Sequence, residues 1–406
     1  MEPTKITGGV CAPKGFQAAG VHCGIRKNHI KKDIAMIVSD APCAAAGCYT
    51  QNKVYGAPIT VTRAHIADGH AQAVIVNSGN ANTCNADGVE KANLTCELAA
   101  KATGLKAEDF IIGSTGVIGQ PIDMEPIAKG IEMLIPYLSD QGGLDAAEAI
   151  MTTDTAAKES ACTCLIGGKT VTLGAIAKGS GMIHPNMATM LSFLTTDAAI
   201  TPAMLQKALS AVVTDTFNMI SIDGDTSTND TVTLMANGLA GNPVIAKEGP
   251  DYDAFTAMLT LVLTDISRMI AGDGEGATKL LTCNVTGAPT KALARSIAKS
   301  VICSSLVKAA MFGADANWGR ILCAIGYTEG DFSVDKVEVS ISSPAGVIHV
   351  CENGAGIPFS EEAAKKVLLE SEIVLDVNMN QGEESATAWG CDLTYDYVKI
   401  NGDYRT

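Results

Sequence analysis

The stretch AKGSGMIHPNMATML, residues 177–191, places Lys178, two glycines, His184 and the pair Ala188-Thr189 where a loop gives way to an apolar run. A Thr hydroxyl is a weak nucleophile and needs a base beside it. If the chain is cut just before Thr189, the freed α-amino group can be that base, since its ordinary pKa is about 8. The glycines let the backbone distort, and the small Ala188 leaves the hydroxyl room to reach the preceding carbonyl. On spacing alone a plain turn into a buried strand is the better reading, because short motifs often match by chance.

The other candidate stretches are also open to two readings. GSTGVIG, residues 113–119, follows an apolar run and offers backbone N–H groups with the Thr115 hydroxyl. Such a turn can hold an oxyanion, a phosphate or nothing. AGDGEGATK, residues 271–279, fails the spacing of a phosphate loop, yet it sets Glu275 between glycines. That acid is either aimed by a tight backbone or simply solvated. DGDTSTND, residues 223–230, lacks the glycine and terminal Glu of a calcium loop and reads as a polar turn. The six histidines are dispersed without zinc-binding spacing, so no metal site is expected, and His184 reads as an exposed loop residue. No G-x-S-x-G elbow is present.

These stretches must be positioned by a framework of alternating elements. Strands are expected at residues 34–39, 57–62, 73–79 and 279–285, and at 321–327, 337–342, 347–352, 372–379 and 391–401, with residues 110–121 a strand running into a glycine loop. Residues 160–181 read as a hairpin turning at Gly167-Gly168. Helices are expected at 89–103, 124–138, 201–217, 252–271, 292–312 and 360–369. This alternation indicates mixed α/β structure with several sheets. GAPTKA suggests a division into residues 1–286 and 287–406.

The chain has 406 residues, 47% of them hydrophobic, with net charge −15. The charge argues against nucleic acid and anionic membrane, which need clustered Lys and Arg. No run approaches 18 uninterrupted apolar residues, and MEPTKITGGV has no basic start followed by an apolar core, so a cytoplasmic protein is expected. Thirteen cysteines are scattered without C-x-x-C spacing, and reduced, mostly buried thiols are the expected state.

Taken together, the motifs resemble the glutamate N-acetyltransferase (ornithine acetyltransferase) family of arginine biosynthesis. The resemblance runs from GGVCAPKGFQAAGVHCGIR (8–26) to the final residue. It passes through VNSGNAN (76–82), IGSTGVIG (112–119), MTTDT (151–155), AKGSGMIHPNMATML, NDT (229–231), GDGEGATK, FGADANWGRI (312–321) and YVKINGDYRT. Two places depart from the family pattern: TCNADG (83–88) and Cys11.

The resemblance implies a layered α-β-β-α fold, distinct from the Ntn-hydrolase fold, with a smaller C-terminal lobe. It implies self-cleavage between Ala188 and Thr189 into an α chain of residues 1–188 and a β chain of 189–406. These stay associated, as a dimer of αβ units. Thr189 is then the nucleophile, and Thr115 with Gly116 forms the oxyanion hole. Thr152, Lys178, Thr189, Glu275, Asn401 and Thr406 fall on substrate-contacting positions. Lys178 suits an α-carboxylate, and Glu275 an amino group or the orientation of the reacting centre. The last two contacts suggest a tail folded over the site.

The expected reaction moves acetyl from N2-acetyl-L-ornithine to L-glutamate through an acetyl-Thr189 ester. No metal or organic cofactor is required, because the ester carries the group. Some members of the family also accept acetyl-CoA; no residue decides this, and the reading leans to ornithine-specific transfer. A self-processing aminopeptidase or amidohydrolase of related fold is the first rival. A non-enzymatic binding protein with purely structural glycine loops is the second.

Overall fold

The computed structural model describes residues 2–27, 31–184 and 190–402. Its largest element is a nine-stranded sheet, and the strand that shapes it is the 16-residue Ile34–Tyr49. Residues 34–39 of that strand pair with Phe16–Val21, and residues 44–49 pair with Thr231–Ala236. The register against His70–Asn80 shifts between Val38 and Cys43, which bends the strand.

The bend folds the sheet over on itself. Ile37, Val74, Val76 and Ile111 from one half share an apolar cluster with Ile176, Leu191, Phe193 and Met235 from the other. Gly113 marks the closest approach, because a Cβ there would lie 3.0 Å from Cζ of Phe193. On the outer face of the first half lie the helices Ala57–His65, Gly88–Thr103 and Met124–Leu134. Pro202–Asp215 and Pro250–Gly272 cover the second half. The layers therefore run α-β-β-α, as expected.

Helix Pro250–Gly272 also separates the folded sheet from a second one. It packs on Lys158–Ile166 and Lys169–Lys178 on one side and on Leu280–Ala288 and Glu384–Cys391 on the other. Among the described helices it alone is long and apolar enough to cross a membrane. Its first turn carries Asp251 and Asp253, and Phe255, Leu259, Val262 and Ile266 are buried in the protein core.

The second, seven-stranded sheet forms the smaller lobe, with Lys291–Cys303 packed against it. The expected division at 286/287 falls inside Leu280–Ala288, whose pairing with Glu372–Asn378 runs through Val285 and Thr286. This sheet also takes in Ile220–Ser221, paired in parallel with Glu384–Cys391.

Three expected strands are helices. Residues 57–62 belong to Ala57–His65, where Pro58 sits at the first turn and Ile59, Val61 and Thr62 turn inward. Thr62 Oγ1 donates to Ile112 O at 2.9 Å, so burial overrides the β-branched composition. Residues 321–327 lie in Trp318–Gly326, capped by the Asn317 side chain. Residues 391–401 end one strand and then form the helix Tyr395–Gly402. The helix expected at 292–312 is two, broken at Ser304, whose side chain caps the second. The hairpin turn is as expected, with Gly167 at φ +55° and Gly168 at φ +77°.

Candidate active site

Thr115 and Gly116 end the strand Phe110–Val117, which runs parallel to His70–Asn80. Gly116 adopts φ +130°, and a Cβ there would sit 2.4 Å from Gly79 C and 2.6 Å from Asn80 N. Only glycine lets the two strand ends approach this closely. No hydrogen bond of the Thr115 side chain occurs among the described residues. The segment holding it is heavily tied. Asn229 Nδ2 donates to Ser114 O (2.9 Å) and Ala81 O (2.5 Å), while Thr83 and Thr228 hydroxyls donate to Asn229 Oδ1, both at 2.6 Å. Gly119 N donates to Thr83 O at 3.0 Å. The 83–88 loop, a departure at the sequence level, thus braces the turn that carries Thr115.

Lys178 closes the strand Lys169–Lys178 and is buried. Burial lowers its pKa, opposed chiefly by Asp154 and then by Glu275 and Asp230, while Lys158 adds to the lowering. Its ammonium makes no hydrogen bond among the described residues. Directly behind it lies a buried ion network. Lys158 Nζ donates to Asp154 Oδ1 at 2.8 Å, to Asp273 Oδ2 at 2.6 Å and to Ala156 O at 3.3 Å. Asp154 also accepts from Gly179 N (2.7 Å) and Thr152 N (3.0 Å). Burial alone would raise the Asp154 pKa, but Lys178, Lys158 and these bonds hold it well below the carboxylate range. Asp273 accepts from Thr155 N at 3.1 Å, and its carbonyl accepts from Ser180 Oγ at 2.7 Å. Three loops, 151–155, 178–181 and 273–276, are thereby fixed to one another.

Glu275 is buried with its carboxylate against Gly181, where a Cβ would come within 2.4 Å of it. Asn401 Nδ2, from the C-terminal helix, donates to Glu275 Oε2 at 2.6 Å. That helix is anchored by Thr394 Oγ1 to Gly276 O (2.7 Å) and Tyr397 OH to Asp223 Oδ2 (3.3 Å). The polar turn after residue 222 has a structural use as well: Asp223 accepts from Met182 N (2.6 Å) and Ile183 N (2.9 Å).

One cavity of about 330 Å³ is lined by Thr115, Gly116, Thr152, Lys178, Glu275 and Asn401 together. Residues scattered over nearly 290 positions of sequence converge there. Ala188, Thr189 and Thr406 lie outside the described residues. The neighbouring Gly181 and Met182 line the same cavity, and Met190 lines a recess shared with Thr115 and Lys178. Asp154, Lys158, Asp273 and Asn229 carry the scaffold and were not singled out by sequence, although three of them sit inside the quoted motifs. No cluster of three or more His, Cys, Asp or Glu residues suited to a metal occurs among the described residues. His184 is half-buried rather than exposed, with Nδ1 3.1 Å from Ser221 Oγ and 3.5 Å from Cys303 Sγ. Burial pushes its pKa down to about 4. None of the thirteen cysteines is in a disulfide.

This arrangement can do acyl chemistry. A hydroxyl and a backbone N–H at a strand end, a buried ammonium and a buried carboxylate line one cavity, and such groups suit an oxyanion, an anionic group and an amino group respectively. The sequence likenesses point the same way. A model described as the ArgJ family matches residues 17–406. The arginine biosynthesis bifunctional protein ArgJ of Symbiobacterium thermophilum is 52% identical over 403 residues, covering 99% of each chain. Its namesake from Bacillus subtilis is 48% identical over 404 residues, covering 99% of this chain and 98% of its own. The crystal structure of arginine biosynthesis bifunctional protein argJ from Bacillus halodurans is 47% identical, with a TM-score of 0.50. It is covered over 98% of its length and covers 52% of this chain.

Proposed function

This chain belongs to the ArgJ family, and from that we propose that it is an acetyltransferase of arginine biosynthesis that processes itself at Ala188–Thr189. The observation that carries the proposal is the cavity uniting Thr115, Gly116, Thr152, Lys178, Glu275 and Asn401, lined also by Gly181 and Met182.

In processing, Thr189 Oγ attacks the Ala188 carbonyl and the C–N bond breaks, giving an ester and a free Thr189 amine; water then hydrolyses the ester to a carboxylate at Ala188 and the Thr189 hydroxyl. In turnover, Oγ attacks the acetyl carbonyl of N2-acetyl-L-ornithine and passes its proton to that amine. The Thr115 hydroxyl and Gly116 N–H receive the developing oxyanion. The departing ornithine nitrogen takes the proton, leaving acetyl-Thr189. The α-amine of L-glutamate then attacks the ester, and N-acetyl-L-glutamate leaves. Lys178 faces substrate carboxylates, while Glu275, steadied by Asn401, orients an amino group. The ester carries the acetyl group, so the reading assigns no cofactor.

Two features of the relatives bear on the finer points. A solved relative that aligns over nearly its whole length to about half of this chain is the size of a cleaved half. The relatives' shared name says bifunctional, so the proposal includes acetyl-CoA as a second donor, in place of the ornithine-only leaning.

Intact-mass measurement and donor assays test this reading. The expected result is two fragments, the larger starting at Thr189, with acetylglutamate formed from acetylornithine and from acetyl-CoA. Thr189→Ala is expected to stay at one mass. A single uncut, inactive wild-type species would overturn the proposal. Peptide hydrolysis without an amino-acid acceptor would favour the aminopeptidase.

A further inference from the structure

The loop of residues 50–56 joins strand Ile34–Tyr49 to helix Ala57–His65 and is stapled along its length to residues 226–230. Thr50 N donates to Asp230 O at 3.0 Å, and Thr50 Oγ1 to Ser227 O at 2.8 Å. Asn52 Nδ2 donates to Thr226 O and Gly56 N to Thr228 O, both at 3.0 Å. Ser227, Thr228 and Asn229 line the 330 Å³ cavity. Gly56 is packed on that wall: a Cβ there would lie 2.6 Å from Nδ2 of Asn229, the amide that holds Ser114 beside Thr115. The loop is thus fixed against the cavity's lining from outside.

Between its staples the loop presents Lys53, Val54 and Tyr55 to solvent, the last two 50% and 48% exposed. Arg63 of the following helix sets its guanidinium 4.9 Å from the ring centre of Tyr49 and 5.8 Å from that of Tyr55. Among the described residues neither Arg63 nor Lys53 makes a side-chain hydrogen bond or an ion pair. The chain carries net charge −15, yet no acidic residue occurs between Asp40 and Asp68. An exposed ring beside unpaired cations suits a nucleotide, whose base stacks and whose phosphates need positive charge. A cavity of 330 Å³ can enclose an acetylated amino acid, whereas a coenzyme thioester must leave its nucleotide outside.

We propose that residues 53–55 and Arg63 bind the phosphorylated adenine nucleotide of acetyl-CoA while its acetyl end enters the cavity past Ser227 and Thr228. This rests on the second-donor reading above. Tyr55 stacks on the base, and Lys53 and Arg63 take the phosphates. The uncharged arm between them spans the 227–229 wall. Acetylornithine has no such tail, so the loop acts on one donor and not the other. Donor choice is then set outside the cavity in which the acetyl group is transferred.

The test is Tyr55→Ala in the full chain, a substitution at an exposed side chain, with steady-state kinetics on each donor at fixed glutamate. KM for acetyl-CoA is expected to rise about tenfold or more, with kcat and KM for acetylornithine changed less than about twofold. Lys53→Glu is the second variant, expected to raise the same constant by weakening the phosphate contact. Equal losses with both donors would mean that the loop only braces residues 226–230, and would overturn the proposal. So would no change with either donor. Adenosine 3′,5′-bisphosphate, the tail alone, is expected to compete with acetyl-CoA in the wild type and to leave transfer from acetylornithine untouched. Equal inhibition with both donors would assign the patch to a free nucleotide and overturn donor recognition. Wild-type assays separate the two failures. An enzyme that uses acetylornithine alone sinks the second-donor reading and this proposal with it. One that uses both donors, with Tyr55→Ala selective for neither, sinks only the role of the loop.

Discussion

Gly116→Ala is expected to lower kcat for acetyl transfer by about 10²- to 10³-fold while leaving KM within a few-fold. The reason is backbone contact rather than side-chain chemistry. A methyl group at residue 116 would lie 2.4 Å from Gly79 C and 2.6 Å from Asn80 N, and neither can swing aside like a flexible side chain. The residue also holds φ +130°, which an alanine adopts only under strain. Relief comes by moving the strand end, and with it the Gly116 N–H and the Thr115 hydroxyl. Oxyanion donors act in the transition state, so their displacement appears in kcat. Steady-state kinetics on the folded variant checks this. An unchanged kcat would remove Gly116 from the oxyanion hole.

The largest effect on stability is expected from Lys158→Met. Lys158 is 1% exposed, and its ammonium bridges Asp154 and Asp273. Removing it leaves a buried carboxylate short of a partner, which costs about 3–5 kcal/mol. The pH dependence has a definite sign. Asp154 has its folded pKa below the unfolded value of about 3.9, so its stabilisation is complete above that value and is lost as pH falls through the folded one. The difference between wild type and variant is therefore greatest at neutral pH and shrinks below about pH 4. Urea denaturation across pH 3–8 measures it. A constant difference over that range would mean that lost packing, not charge, accounts for the change.

Parts of this architecture were legible in the sequence because they are local. Gly167-Gly168 announces its hairpin, since two successive left-handed residues suit a tight turn between right-twisted strands. Helix Pro250–Gly272 shows its apolar face at the expected spacing. Residues 57–62 misled because PITVT is β-branched, and only the groove beside Ile112 makes it helical. The fold-over of the great sheet was likewise hidden, for it depends on a register shift within Ile34–Tyr49.

The cavity residues could be named from their motifs, but their support could not. Lys158 and Asp273 stand 115 positions apart, and nothing local to either predicts the pair.

The folded-over sheet also bears on what a cut at residue 188 can do. Strands from either side of that point are interleaved: Lys169–Lys178 lies against Leu191–Thr196, and Ile34–Tyr49 against Thr231–Ala236. Severing the peptide bond there would leave these ladders whole, so the two halves would be held as one body. Their arrangement would, however, have been reached while they were one polymer. Once unfolded, two separate strands of protein must meet by diffusion and interdigitate without the tether that first guided them. If the proposed cut is made, maturation is a ratchet: the processed chains would keep a shape they could no longer readily regain.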